Sequence, residues 1–281
     1  MLYFSEVLRV ARILSLDVAV GACVSSWFVA TVVGAPISVT VFVTLGIAVW
    51  LIFTADHLWD AYRINHIPHT DRHRFHQQHF QTMLKVFGLM SLLGVISLFY
   101  LPQAILRSGI LLLIGVAVYF LIFQFTRLKR YLPKEVTAAL LYTTGIILST
   151  LAQISNYPLE LFLLFAQYSG LALANLALFA WFEYNSDELD FAQSLATQYG
   201  KKKARVIALT SLLIVLSLSA NSMIWLPPNP QWVYAQFIIL IMTAILFAIL
   251  FQPQFFSRNE RYRWVGDGIF IIPLLFYLSL L

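Results

Sequence analysis

Long apolar stretches alternate with short polar connections along the whole of this chain. Nine of the stretches are long enough to cross a hydrocarbon layer about 30 Å thick. They cover residues 12–33, 37–58, 82–101, 107–126, 136–155, 159–182, 205–226, 232–251 and 264–281. Lipid gives a backbone N–H or C=O no partner outside its own segment, so each stretch is predicted to be a helix. The short alternating segments that build a membrane barrel are absent from the sequence. No linker or low-complexity stretch divides the chain, so a single all-α integral membrane domain over 1–281 is expected.

Composition agrees with the pattern. Hydrophobic residues make up 60%, charged residues 11%, and the mean hydropathy is +0.80, which excludes a soluble protein. Arg9 and Arg12 precede the first apolar run, but no clear small-residue cleavage site follows. Residues 12–33 therefore read as a span, not a cleaved leader. The one cysteine, Cys23, excludes an internal disulfide and reads as a small packing residue.

The basic residues set an orientation. With nine spans and the N-terminus inside, every Lys and Arg except Arg107 falls on an inner segment or at the inner end of a span. A miscounted span would scramble this asymmetry, so the number of spans and the orientation support each other. An inner, cytoplasmic working side in a bacterial inner membrane is expected. The net charge of +5 follows from that asymmetry and from contact with anionic headgroups; no nucleic-acid partner is called for.

Acidic residues are as unevenly placed. Asp56 and Asp60 close the second stretch, and a spacing of four puts both on one helix face. Glu183, Asp187, Glu188 and Asp190 close the sixth. If that helix continues, Glu183, Asp187 and Asp190 follow an i, i+4, i+7 rhythm and form one stripe, with Glu188 pointing elsewhere. Solvated helix ends explain many such groups, but two clusters at matching depth favour a metal site, since ionisable groups at membrane depth are costly. Facing carboxylates repel and are best relieved by a hard cation. Mg²⁺ fits, because it usually completes its shell with water and substrate phosphate. The ligand implied is a phosphorylated molecule, with cations on its oxygens: Lys129, Arg130 and Lys134, or Arg63, Arg72 and Arg74, all on the same side.

All six histidines lie between His57 and His79. Spacings within His69, His73, His76 and His79 suit zinc or iron, as in a histidine-box oxidase, yet no histidine follows residue 79 to complete such a site. A polar interfacial loop is the plainer reading, with one or two histidines contacting phosphate or substrate. Asp17 and Asp267 lie inside the first and ninth stretches, where each either meets a polar partner between helices or lines a cavity. The aromatic residues suit lipid packing and interface belts, or a cavity for a long isoprenoid chain.

Taken together, nine spans with acidic motifs after the second and sixth resemble the UbiA superfamily of intramembrane prenyltransferases. Asp56-His-Leu-Trp-Asp60 is similar to the last two aspartates of that family's first motif, Asn-Asp-x-x-Asp-x-x-x-Asp. Glu183-Tyr-Asn-Ser-Asp187-Glu-Leu-Asp190 stands where the second, Asp-x-x-x-Asp, belongs. Ser194-Leu-Ala-Thr-Gln-Tyr-Gly200-Lys-Lys-Lys-Ala204 resembles the family's Thr-Leu…Leu-Gly…Ala stretch, and Arg127-Leu-Lys129-Arg130 its Tyr-x-x-x-Lys-Arg element. Three departures stand out. Ile52 and Phe53 replace the first Asn-Asp, Glu183 replaces an aspartate, and Asp71-Arg-His-Arg-Phe-His76 replaces an Arg-Pro-Leu segment.

The resemblance implies a nine-helix bundle around a central cavity. It also implies Mg²⁺-dependent transfer of a prenyl group from an isoprenyl (allylic) diphosphate to a lipophilic or aromatic acceptor. Asp56, Asp60, Asp187 and Asp190, with Glu183, would hold the metal. Lys129 and Arg130 would neutralise the leaving pyrophosphate; Arg63, Arg72 and Arg74, on the same side, are diphosphate-binding candidates from the residue pattern itself. A non-catalytic membrane protein of the same fold, binding lipid or a partner, is the alternative that the departures suggest.

Overall fold

The computed structural model describes residues 9–36, 38–64, 66–126, 133–226 and 229–279, and among these every regular element is helical. Leu16–Val32 (α1), Val39–Arg63 (α2), Asp71–Gln78 (α3), Phe80–Leu98 (α4), Gln103–Phe125 (α5), Lys134–Leu151 (α6) and Leu159–Phe182 (α7) come first. Short helices Tyr184–Leu189 (α8) and Leu195–Tyr199 (α9) follow, then Lys201–Trp225 (α10) and Pro230–Phe251 (α11). Pro253–Phe256 (α12), a 3₁₀ turn at Arg258–Glu260, Arg261–Gly268 (α13) and a 3₁₀ helix over Ile269–Ser279 end the chain.

Among the described residues, six helices are long and apolar enough to cross a bilayer: α2, α4, α5, α7, α10 and α11. The other three expected stretches are also helical but shorter, less apolar or interrupted. Helix α1 has only 17 residues. Helix α6 is diluted by Lys134, Glu135 and four threonines. The last stretch is broken between α13 and the 3₁₀ segment, where Pro273 removes a backbone donor. The chain is an integral membrane protein.

Local chemistry sets many boundaries. Pro102, Pro133 and Pro158 stand immediately before α5, α6 and α7, where a fixed φ is harmless and a missing N–H has no helical partner anyway. Asn229 caps α11 through its side chain, with Pro230 in the first turn. Ser194 and Thr197 form a reciprocal capping box on α9. Gly200 sits at φ 97°, a value L side chains avoid, and lets α9 turn directly into α10.

Helix α7 is the centre of the packing. Leu161, Leu164, Tyr168, Leu171, Ala174, Ala177 and Leu178 are all almost fully buried, and its most extensive neighbour is α10. Small residues allow that approach: a Cβ at Gly170 would meet Val215 Cγ2 at 2.5 Å. Helices α4 and α5 lie outside, exposing Leu89, Leu92, Val95, Leu111, Leu113 and Ile114. Such apolar faces belong against lipid. Helix α2 packs on α1 and α4, and α6 on α1, α5 and α7, so the ends of α2, α6 and α7 are brought to a common wall.

Candidate functional site

That wall encloses a cavity of about 920 Å³. One end is polar. From α2 come Asp56, His57, Asp60 and Arg63; from the segment after it His66, Thr70, Arg72 and His73; from α6 Lys134 and Glu135; and from the end of α7 onward Glu183, Asp187 and Asp190. The other end is apolar, lined by Val41, Leu45 and Val49 of α2 and by Ile105, Leu112 and Val116 of α5. Val41 and Asp56 are both lining residues of one helix, so the cavity follows about 22 Å of its axis.

The first acidic pair is positioned by helical spacing alone. Asp56 accepts hydrogen bonds from Lys134 Nζ at both oxygens, 3.2 and 3.1 Å away. Asp60 faces His73, whose Nε2 is 3.7 Å from Oδ2, beyond hydrogen-bond reach. The second cluster keeps the expected rhythm across a bend. Helix α7 ends at Phe182, yet Asp187 N–H donates to the Glu183 carbonyl at 2.8 Å and Asp190 N–H to the Ser186 carbonyl at 2.9 Å. Glu183, Asp187 and Asp190 all reach the cavity, but each does something different there.

Glu183 is committed to α13. It accepts from Tyr262 Oη at 2.9 Å and from Arg263 Nη2, and both ends of the Arg263 pair are largely buried. Asp190 is committed to the polar segment after α2. Its side chain is 2% exposed and meets His66 Nε2 at 3.0 Å, His69 Nδ1 at 2.6 Å and the His69 N–H at 3.2 Å. Burial alone would raise its carboxyl, but the two histidine side chains and the backbone N–H outweigh it and hold it below the usual range. Asp187 is hydrogen-bonded by the Ser194 side chain, but burial and the nearby Glu183 charge push it up to about 7.

The cations divide likewise. Arg63, Arg72 and Lys134 line the cavity. Arg72 Nη1 is 3.2 Å from His57 Nε2, and burial together with the Arg263 charge lowers it to about 10, against the pull of Asp267, Glu183 and Asp17. Arg74 is absent from the cavity wall. Its guanidinium is used instead on Asp71 and on the Pro68 carbonyl, at 3.4 and 3.2 Å. Lys129 and Arg130 lie outside the described residues.

Only part of the histidine stretch is a loop: His66 and His69 lie in the non-helical segment after α2, while His73 and His76 lie on a helix. Residues 71–78 are helix α3, with His76 fully buried and His57 nearly so. Their rings pack at 5.2 Å between centroids, and His57 Nε2 is 3.2 Å from Ser15 Oγ. Asp267 receives a hydrogen bond from Asn175 at 3.1 Å and lines the cavity. Asp17 accepts a hydrogen bond from the Val18 N–H at 3.0 Å and lies in the electrostatic field of Arg72 and Arg12.

Sequence spacing did not single out Glu135, Tyr262 or Arg263. Glu135 is buried and accepts from the Leu195 N–H at 2.5 Å, tying α6 to the start of α9. Nothing in the spacing links residues this far apart; the one signal for Arg263 is its place beside an apolar stretch.

As an architecture, this is an all-helical membrane fold of the UbiA type. Two solved structures superpose along almost its whole length. A UbiA homologue from Aeropyrum pernix K1, solved in its apo form, matches with a TM-score of 0.62 and 12% identity, over 95% of this chain and 97% of that one. Digeranylgeranylglyceryl phosphate synthase, from a study of its biosynthesis in membranes, matches with a TM-score of 0.57 and 12% identity, over 95% and 96%. No family model and no curated protein matches the sequence, so the likeness is one of fold.

Proposed function

We propose that this chain is a divergent UbiA-type prenyltransferase. It would move a prenyl group from an allylic diphosphate to a lipophilic or aromatic acceptor, with Mg²⁺ as cofactor. The observation that carries the reading is the cavity itself. Carboxylates from two segments far apart in sequence, Asp56 and Asp60 on one side and Asp187 on the other, share one wall with Arg63, Arg72 and Lys134. An apolar slot leads away from them.

The donor chemistry fits the metal. Oxygen donors are what Mg²⁺ requires, and Asp60 and Asp187 carry no such pair of charge-assisted hydrogen bonds as those that hold Asp190 and Glu183 among the described contacts. Asp60 and Asp187 are therefore the proposed ligands, joined by Asp56 when Lys134, now on both its oxygens, turns to the diphosphate. Asp190 and Glu183 drop out of the set, because their oxygens are already held by histidines and by Tyr262 and Arg263. The ion, when bound, supplies positive charge against the charge that develops on a leaving diphosphate.

The remaining roles belong to the side chains. Lys134, Arg63 and Arg72 bind diphosphate oxygens as charge-assisted donors, Lys134 exchanging Asp56 for substrate. Lys129 and Arg130 keep the diphosphate-binding role that the family likeness implies. Val41, Leu45, Ile105 and Leu112 hold the prenyl chain and keep water from the allylic carbon. Nine spans around this cavity, with the acidic segments on the cytoplasmic side of a bacterial inner membrane, complete the proposal.

The test uses the purified full chain with labelled allylic diphosphates and a panel of acceptors. Mg²⁺-dependent diphosphate binding that Asp56→Ala and Asp187→Ala abolish supports the reading, and product formation completes it. Binding that ignores Mg²⁺ or both substitutions overturns it. A second reading, a non-catalytic protein of the same fold, draws on Ile52 and Phe53, which line the cavity where the family places a polar pair. It predicts lipid binding without turnover of any diphosphate.

A further inference from the structure

We propose that His66, His69 and Asp190 form a second metal site, for Zn²⁺ or a similar transition ion, at the rim of the cavity. This inference does not rest on the transferase reading.

The donor set points to the metal class. One ligand atom from each of the three residues lies within 4.8 Å of the others. Two imidazole nitrogens and one carboxylate oxygen suit zinc and its neighbours, whereas Mg²⁺ prefers oxygen throughout. Three protein ligands with a fourth position for water is the arrangement such ions adopt at open sites. On a tetrahedral ion with bonds of about 2.0–2.1 Å, ligand atoms sit about 3.3 Å apart. Asp190 Oδ1 now lies 3.0 Å from His66 Nε2 and 2.6 Å from His69 Nδ1. Reaching about 3.3 Å from Asp190 Oδ1 takes the two nitrogens back from 3.0 and 2.6 Å, and their separation from each other, within 4.8 Å, has to settle at the same value.

The surroundings present these atoms in advance. The His69 N–H holds Oδ2 of Asp190 at 3.2 Å, leaving Oδ1 turned to both rings. The histidine segment is fixed from α3. Gln77 Nε2 donates to the Ile64 and His66 carbonyls at 2.8 and 3.1 Å, and Arg74 donates to the Pro68 carbonyl. Outer contacts of this kind orient metal ligands. An entry path exists as well, since the His66 and His69 side chains are 44% and 46% exposed while Asp190 is closed off beneath them.

The location gives the site a consequence. His66 and Asp190 both line the cavity, and they come from the two segments that carry the two acidic clusters. An ion bound there clamps the 66–69 segment onto the chain that follows α8, across the rim of the polar end.

The experiment is titration of the untagged full chain in detergent with Zn²⁺ alone, followed by calorimetry. A single Zn²⁺ per chain is expected, insensitive to Mg²⁺. Loss of even an outer-shell partner costs about 10–100-fold in affinity, so the His66→Ala, His69→Ala pair and Asp190→Asn should each weaken binding by roughly tenfold or more. His79→Ala, whose ring stacks on Phe75 at 4.4 Å, should leave it unchanged. If the variants fail to fold, hydrogen exchange on the wild-type chain decides: Zn²⁺ should protect both residues 66–70 and residues 187–192. No Zn²⁺ binding, binding that survives loss of both histidines, or protection confined to other segments overturns the site.

Discussion

Lys134 Nζ lies 3.2 and 3.1 Å from the two carboxylate oxygens of Asp56, joining the start of α6 to the last turns of α2 across the polar end of the cavity. The pair is about a quarter exposed on each side, so its stabilising value is modest. If the proposed function holds, its use is to keep a cation poised where a diphosphate arrives. Lys134→Ala should weaken allylic-diphosphate binding by roughly tenfold, about 1.4 kcal/mol, and Lys134→Arg should recover part of it. Equilibrium binding with labelled diphosphate checks this; unchanged affinity in the alanine variant removes Lys134 from the site.

Glu183 and Asp187 are a helical turn apart and should behave oppositely. Removing Glu183 leaves the Arg263 side chain, 13% exposed, without its partner. Breaking a buried pair in this way costs about 3–5 kcal/mol. Asp187 is held up to about 7, first by burial and then by Glu183. A carboxyl raised above its unfolded value favours the fold only while protonated, and that contribution is lost as pH rises through 7. At pH 8 without metal, Glu183→Ala should lower the melting temperature sharply while Asp187→Asn leaves it unchanged or raises it. Equal losses would contradict the assignment of Glu183 to structure.

Helix α3 carries an acid-sensitive element. Burial, followed by the Arg72 charge, lowers His73 to about 4, and burial likewise lowers His76. A histidine lowered below its unfolded value contributes stability that is full above pH 6.5 and lost as pH falls through the folded value. For His73 this amounts to about 3 kcal/mol. The melting temperature should therefore fall between pH 6.5 and 4, and His73→Gln and His76→Gln should each flatten that fall. Parallel pH profiles for wild type and both variants would show that other groups govern it.

Gly266 marks a close approach between α13 and α7. A Cβ there would strike Asn175 Oδ1 and come within 2.9 Å of Phe179 Cε1, beside the hydrogen bond from Asn175 to Asp267. Gly266→Ala should cost about 1–3 kcal/mol through overpacking, read as a lower melting temperature. Gly88→Ala, with open space around its Cβ, is the control and should be neutral or slightly stabilising.

Much of the architecture is legible in the order of residues because membrane burial is written locally. A run such as 232–251 must be helical wherever it packs, and α11 covers Pro230–Phe251. Helical spacing also places Asp56 and Asp60 on one face, and both line the cavity. The i, i+4, i+7 pattern from Glu183 holds through the bend for the same reason. Arg74 shows where such reading ends. Its charge suits a phosphate, but Pro68 offers it a carbonyl at 3.2 Å, and the guanidinium stays there.

The sequence by itself determined an all-helical integral membrane chain, its two acidic segments and the concentration of its histidines, because hydrophobicity and helical period act over a few residues. Only the tertiary structure decided the partners. Asp56 meets Lys134, Glu183 meets Arg263 and Asp190 meets His66 and His69, over separations of 78, 80, 124 and 121 residues. The physical reason is that a charge drawn out of water must find compensation in space, and which opposite charge is nearest depends on how the helices pack, not on how they follow one another in the chain.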